Sequence, residues 1–385
     1  MEQDTLLIKN GMVLDPANNI KKRTDVAISE GKILALGDFS NEKTKYMVNA
    51  AGCFITPGLI DHHAHVYPLI KIGIPAEAVC FASGVTTVVD AGSTGCETYA
   101  NARTFIQKSV LLEIRPYLNI SSKGLSSLPE LENMDPASFD EAKITEIFAK
   151  YPNELEGLKI RTSKNIVGNF GLKPLDRTLE IAEKIGVPIM VHCTNPPGTL
   201  EEIIKRLRPG DVLTHMYQNI GSTLLNAKGQ ILRQAYEARE RGVIFEAADA
   251  RAHFSFEVSE PAIKEEFLPD IIATDLTQFS MYQRPTSFNL AMQIAKYTFL
   301  GIDFYEVLRR CTQNPALVMG RLNDIGTLST GTNGDVAIFK RINCHNEFGD
   351  RPYYDEQREL RQGSKIYKPV MTIKRGKIVY RDMLF

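Results

Sequence analysis

The stretch Pro57-Gly58-Leu59-Ile60-Asp61-His62-His63-Ala64-His65 concentrates more potential chemistry than any other part of the chain, with His63 and His65 two residues apart at the end of an apolar run. On a β-strand that spacing turns both imidazoles to one face, where a single ion can take both. Three of the seven histidines fall within four residues, behind a Pro57-Gly58 break, which is more than an ordinary strand end with surface histidines requires. Other apolar runs also end in ligand-type residues: Val-Pro-Ile-Met-Val-His192, Asp-Val-Leu-Thr-His215 and Ile271-Ile272-Ala273-Thr274-Asp275. Lys159 lies inside Leu158-Lys159-Ile160, where a charged ammonium is costly unless paired or chemically altered. Singly these are a core histidine, a capping aspartate or a salt-bridged lysine; recurrence at the same place on successive strands needs another explanation.

The elements that must position these residues follow from hydrophobic patterning. Between residues 54 and 320, short β-branched runs alternate with helical segments, giving eight candidate strands: 59–65, 86–91, 114–120, 158–163, 188–193, 212–215, 243–247 and 271–275. Helical stretches intervene, as at 174–185, 200–207 and 229–241. Eight strand-helix units of this length predict an α/β fold, a (β/α)8 TIM barrel, whose chemistry sits at the C-terminal strand ends where the ligand candidates lie. The first ~53 residues carry strands 6–8, 25–29 and 32–36 with turns at Asn10-Gly11 and Glu30-Gly31, and the last ~60 repeat the style at 335–339 and 370–380 with a turn at Arg375-Gly376. Small hairpins are marginal alone, so both termini (1–53 plus 321–385) are expected to pair into one small β-sandwich beside the barrel (54–320). The polar stretch Asn343 to Lys365 reads as a mobile insertion.

Composition narrows the class. With 385 residues, 43% hydrophobic and 24% charged, the chain can bury a large core. A net charge of -1 without a basic block gives nucleic acid no electrostatic footprint. The acidic Met1-Glu2-Gln3-Asp4 start lacks the features of a secretory signal, and no apolar run approaches ~20 residues, so neither export nor a membrane partner is expected. Six scattered cysteines without a CxxC pair suit reduced thiols in a cytoplasm. Cys193, next to His192, should face the helical layer and be structural if His192 faces the barrel axis.

These residues resemble the amidohydrolase superfamily of metal-dependent hydrolases over nearly the whole chain, including the split sandwich. The Pro57 to His65 segment matches its hallmark. Gly84-Val85-Thr86-Thr87-Val88-Val89-Asp90, the lysine in Gly157-Leu158-Lys159-Ile160-Arg161, and the His192, His215, Asp275 series are most similar to its deacetylase branch, though dihydroorotases, hydantoinases and D-aminoacylases share much of the ligand set. The resemblance implies two metals per chain: His63, His65 and Asp275 on the first, His192 and His215 on the second, and Lys159 bridging as a CO2-derived carbamate (N6-carboxylysine). Imidazole-rich ligation with oxygen bridges favours two Zn(2+), with iron, manganese or cobalt open. It also implies a metal-bridging hydroxide as nucleophile and Asp275 as the catalytic group that takes its proton and returns it to the leaving group. No G-x-S-x-G elbow supplies an alternative nucleophile.

The expected reaction is removal of an acetyl (acyl) group from small O-acetyl hydroxy acids or N-acetyl amino acids, with ester or amide preference open. Candidates for holding the substrate carboxylate are Arg115, Arg161, Lys164, Tyr217, His253 and Arg284. A cyclic amide hydrolase (dihydroorotase-like or hydantoinase-like) or a nucleobase deaminase using the same metals is the alternative; a barrel that has lost catalysis is disfavoured by intact ligands at all six positions. The expected partner is a small-molecule acylated substrate, and a homo-oligomer stays open.

Overall fold

The computed structural model describes residues 4–108, 111–128, 130–282, 288–351 and 355–385. Eight parallel strands form the central sheet: β1 (Leu59–Ala64), β2 (Val85–Gly95), β3 (Glu113–Asn119), β4 (Gly157–Arg161), β5 (Ile189–His192), β6 (Val212–Thr214), β7 (Ile244–Ala248) and β8 (Ile271–Ala273). They pair in sequence order from β1 to β8. The barrel closes where the chain just beyond β8 meets the end of β1. Ala64 bridges Leu276, the Asp275 amide donates to the His63 carbonyl at 2.6 Å, and the His65 amide to the Leu276 carbonyl at 3.0 Å. All eight strands fall where the alternation of apolar runs predicts them.

Local chemistry sets the intervening helices. Lys173–Ile185 starts with Pro174 in its first turn, buries Leu175, Thr178, Ile181 and Ala182 at helical spacing, and stops at left-handed Gly186. Leu200–Arg206 opens on a reciprocal cap between Thr199 and Glu202. The helix expected over 229–241 begins later, at Arg233, because Asn226 Oδ1 accepts from the amides of Lys228 and Gln230 and turns the chain back so that Leu225 pairs with Ile231.

Both termini build two further sheets. One has four strands, Lys32–Gly37, Asp25–Ser29, Leu6–Lys9 and Tyr46–Asn49; the other has six, Lys377–Arg381, Leu360–Lys374, Val336–Gly349, Phe54–Pro57, Met12–Asp15 and Ile20–Arg23. Ile8, Val13, Val26, Ile55, Ile338 and Ile373 fill a core between them. Glu30-Gly31 and Arg375-Gly376 close hairpins, whereas at Asn10-Gly11 the chain passes from one sheet to the other.

The expected mobile insertion at 343–365 is instead, apart from residues 352–354, which lie outside the described residues, the outer part of a long hairpin. Val336–Gly349 and Leu360–Lys374 pair from Val336 with Ile373 out to Gly349 with Leu360. Its end braces the barrel: Asp350 Oδ2 accepts from the Phe256 amide at 3.4 Å, the Arg351 amide donates to the Phe254 carbonyl at 3.3 Å, and Arg361 pairs with Glu260. No helix among the described residues is long and apolar enough to cross a membrane.

Candidate metal centre

The end of β1 departs from regular alternation. Asp61 pairs with Val88 and Ala64 with Asp90, so His62 and His63 stand against a single residue of β2. This two-against-one register is a β-bulge, and it lets consecutive side chains share a side. Both imidazoles accordingly reach one carboxylate, Glu246 of β7, from Nδ1: His62 at 2.6 Å to Oε2 and His63 at 2.7 Å to Oε1. Asp61 ties β1 to the end of β8 by accepting from the Thr274 amide and hydroxyl at 3.0 and 2.7 Å.

The imidazoles are oriented from behind. A carboxylate or carbonyl oxygen only accepts, so the ring nitrogen facing it carries the proton. His63 Nδ1 therefore donates to Glu246, and His215 Nδ1 donates to the Ala248 carbonyl at 2.7 Å. Ser93 donates to Asp90 at 2.8 Å, which leaves its oxygen to accept from His65 Nδ1 at 3.0 Å. The Nε2 lone pairs of His63, His65 and His215 consequently face inward. There they lie 3.4, 3.3 and 3.8 Å from Asp275 carboxylate oxygens. His192 Nδ1 is 2.8 Å from His215 Nε2, and Ser163 holds its other nitrogen at 3.1 Å.

Electrostatics matches this donor set. Burial, followed by neighbouring cationic groups, pushes His63, His192 and His215 well below the usual imidazole range and keeps them neutral. Burial opposes ionisation of Asp275, but the polar imidazoles of His65, His215 and His253 around it outweigh that and hold the carboxyl at about 2. Lys159, only 2% exposed, places Nζ 3.5 Å from His63 Nε2, and burial lowers its ammonium to about 8. Room for that side chain comes from Gly92, where a Cβ would lie 2.5 Å from Lys159 Cβ at a φ of 81°. His215 and Asp275 themselves adopt left-handed φ of 64° and 49°, strain that the surrounding bonds must hold and that clusters at functional sites.

Two groups of three potential ligands result, His63 with His65 and Asp275, and His192 with His215 and His253, each with ligand atoms within 4.8 Å of one another. Neutral nitrogens aimed at an ionised carboxylate, without protons between them, fit bound cations. His253 thus joins the centre: Thr194 holds its Nδ1 at 2.9 Å, its ring lies 4.2 Å from that of His215, and Nε2 is 3.6 Å from Asp275.

The other substrate-binding candidates scatter. Arg161 ends β4 beside the centre, with its guanidinium on buried Glu132 at 2.9 Å. Arg115 is a correction: it lies four residues before Asn119, the β3 partner of Lys159, or about 13 Å toward the opposite mouth. There it pairs with Glu156 at 2.6 Å. Tyr217 is also corrected: it is fully buried, stacked on Tyr297 and bonded to the Phe267 carbonyl, so it packs the layer behind the barrel. Lys164 is exposed at the start of the Lys164–Val167 turn of helix. Arg284 lies outside the described residues. Cys193 is buried, its thiol pushed up to about 12 by that burial. Sequence reasoning missed Glu246, although a lone acid in Val243-Ile244-Phe245-Glu246-Ala247 carries the signal that singled out Lys159.

Residues 54–379 match the amidohydrolase family, a span that takes in every barrel strand and every candidate ligand described above. The chain belongs to that family. It is a hydrolytic enzyme. Among curated relatives it is 32% identical to a deacetylase of Agrobacterium fabrum over 333 residues, covering 85% of this chain and 81% of that one. It is 28% identical to a deacetylase of Enterococcus faecalis over 97% of this chain and 98% of that one. A crystal structure titled as an adenine deaminase superposes with a TM-score of 0.89 at 27% identity, covering 98% of this amidohydrolase and 99% of that chain. One titled as a dihydroorotase gives 0.86 at 28% identity, with the same coverage.

Proposed function

We propose that this amidohydrolase removes an acetyl (acyl) group from small O-acetyl hydroxy acids or N-acetyl amino acids, using two divalent ions, zinc in the first instance. The observation that carries the reading is the convergence of three inward Nε2 lone pairs, the ionised Asp275 carboxylate and the buried Lys159 amine at one mouth of the barrel. The deacetylase names of the Agrobacterium and Enterococcus relatives support the substrate class.

His63, His65 and Asp275 would hold one ion and His192 and His215 the other, with Lys159 between them. Bound there, the ions supply water activation and polarisation of the acyl carbonyl. Lys159 joins as a carbamate: the ammonium first gives up a proton to solvent, then neutral Nζ forms a C–N bond to CO2 and releases a second proton to solvent, so that a cation ends as an anion. Burial favours that exchange, because it already weakens the ammonium. Asp275 takes a proton on a carboxylate oxygen and returns it to the departing alcohol or amine. Arg161, beside the centre, is the cation for the substrate carboxylate, and His253 presents Nε2 to the reacting acyl group.

The test is a panel of O-acetyl hydroxy acids, N-acetyl amino acids, hydantoins, dihydroorotate and adenine, assayed with zinc and bicarbonate present. Turnover of the acetylated acids is expected. Turnover confined to a cyclic amide or to adenine would replace this reading with the alternative that the adenine deaminase and dihydroorotase structures favour.

A further inference from the structure

We propose that Glu246 is the positioning residue of the first ion site, locking His63 in the tautomer that can bind metal through a paired clamp on His62 and His63. The inference rests on the metal-centre reading above and concerns a strand that contributes no ligand of its own. Glu246 is fully buried in the middle of β7, in register with Thr214 of β6 and Ile271 of β8. Its two oxygens are spent on two imidazoles, at 2.6 and 2.7 Å, with Thr214 Oγ1 also 3.1 Å from His63 Nδ1.

The pairing has a directional logic. His62 occupies Oε2, so that oxygen faces a donor, and Oε1 is left to accept from His63. A proton held at His63 Nδ1 keeps Nε2 bare, and Nε2 is the atom aimed at Asp275 and Lys159. His62 has no other side-chain hydrogen bond among the described residues: its Nε2 is buried without one. The bulge in β1 is what makes the arrangement reachable, because in a regular strand His62 would face away from His63. The bulge, His62 and Glu246 thus form one device. An amide in place of Glu246 offers one acceptor and one donor, so one of the two rings must reverse its tautomer, and the negative charge behind His63 is lost.

The experiment measures metal affinity rather than turnover. Holoprotein and Glu246→Gln are titrated with a chelator, and ions per chain are counted by elemental analysis. Loss of a carboxylate behind a ligand imidazole weakens metal binding by about 10- to 100-fold. The expected result is that one ion of Glu246→Gln leaves at such lower chelator strength while the other stays within about two-fold of wild type. A purely structural role would lower the melting temperature and shift both ions alike. Retention of both ions at wild-type affinity, or equal weakening of both, overturns the proposal. Should Glu246→Gln fail to fold, 15N NMR of the wild-type histidines decides: His62 and His63 both protonated at Nδ1 is the expected result, and a proton on His63 Nε2 overturns it. A failed substrate panel with a selective loss of one ion would reject the acyl reading and keep the clamp; wild type holding no ion would reject the metal reading first.

Discussion

Lys159 is the buried amine on which the proposed two-ion chemistry turns. A buried amine near 8 is substantially neutral in mildly alkaline solution, and only the neutral amine adds CO2. In apoprotein equilibrated with 13C-labelled bicarbonate, a carbamate signal should therefore grow as pH rises from about 6.5 to about 9, because protonated Lys159 dominates below its folded pKa. A signal still climbing steeply at about pH 9, as an ordinary lysine would give, would contradict the low value. Lys159→Ala should lose at least about 100-fold in kcat, with partial rescue by small carboxylates, and full activity would remove the carbamate from the account. Gly92→Ala should do much the same without replacing a ligand, since its Cβ would occupy the space of the Lys159 side chain. The thiol of Cys193, held near 12, should resist alkylation at about pH 8 while half-exposed Cys344 reacts, as peptide mapping would show. At this scale the sequence was a good guide wherever a residue type was conspicuous in its run, as with Lys159 and the strand-end histidines. It could not show the left-handed backbone of His215 and Asp275, which depends on bonds made across the closed barrel.

At the scale of elements, the loop after β7 matters most, since it carries His253. Its start is fixed by a buried ion pair, Asp249 with Lys296 at 2.5 Å, where Lys296 comes from the helix Leu290–Phe299 and Tyr297 of the same helix donates to Asp249 at 2.8 Å. Burial raises the Asp249 carboxyl and lowers the Lys296 ammonium, so neither charge is comfortable alone. Lys296→Met should cost about 3–5 kcal/mol in denaturant unfolding, and a loss under about 1 kcal/mol would mean that the pair does not hold the loop. The far end of this loop meets the long hairpin, which the sequence concealed for a physical reason. Residues 341–347 alternate between exposed and half-buried on a two-stranded arm with little core beneath it, so the period that marks a strand is weak. The bulge in β1 was hidden in the same way, because alternation assumes a regular register.

Across the whole molecule, two sheets built from both termini brace a barrel whose one mouth gathers the candidate metal ligands. Phe54–Pro57, which leads into β1, is held between Val336–Gly349 and Met12–Asp15, so the strand carrying His63 and His65 is anchored by both ends of the chain. Barrel order and closure were legible in the sequence because each strand is a compact apolar run followed by a helix. Ions bound only by the folded state stabilise it by mass action. The decisive measurement is elemental analysis of the purified protein joined to activity after exhaustive chelation. Close to two divalent ions per chain are expected, with loss of acyl hydrolysis when they are removed and recovery with zinc and bicarbonate. Fewer than one ion per chain with hydrolysis intact would contradict the two-ion centre.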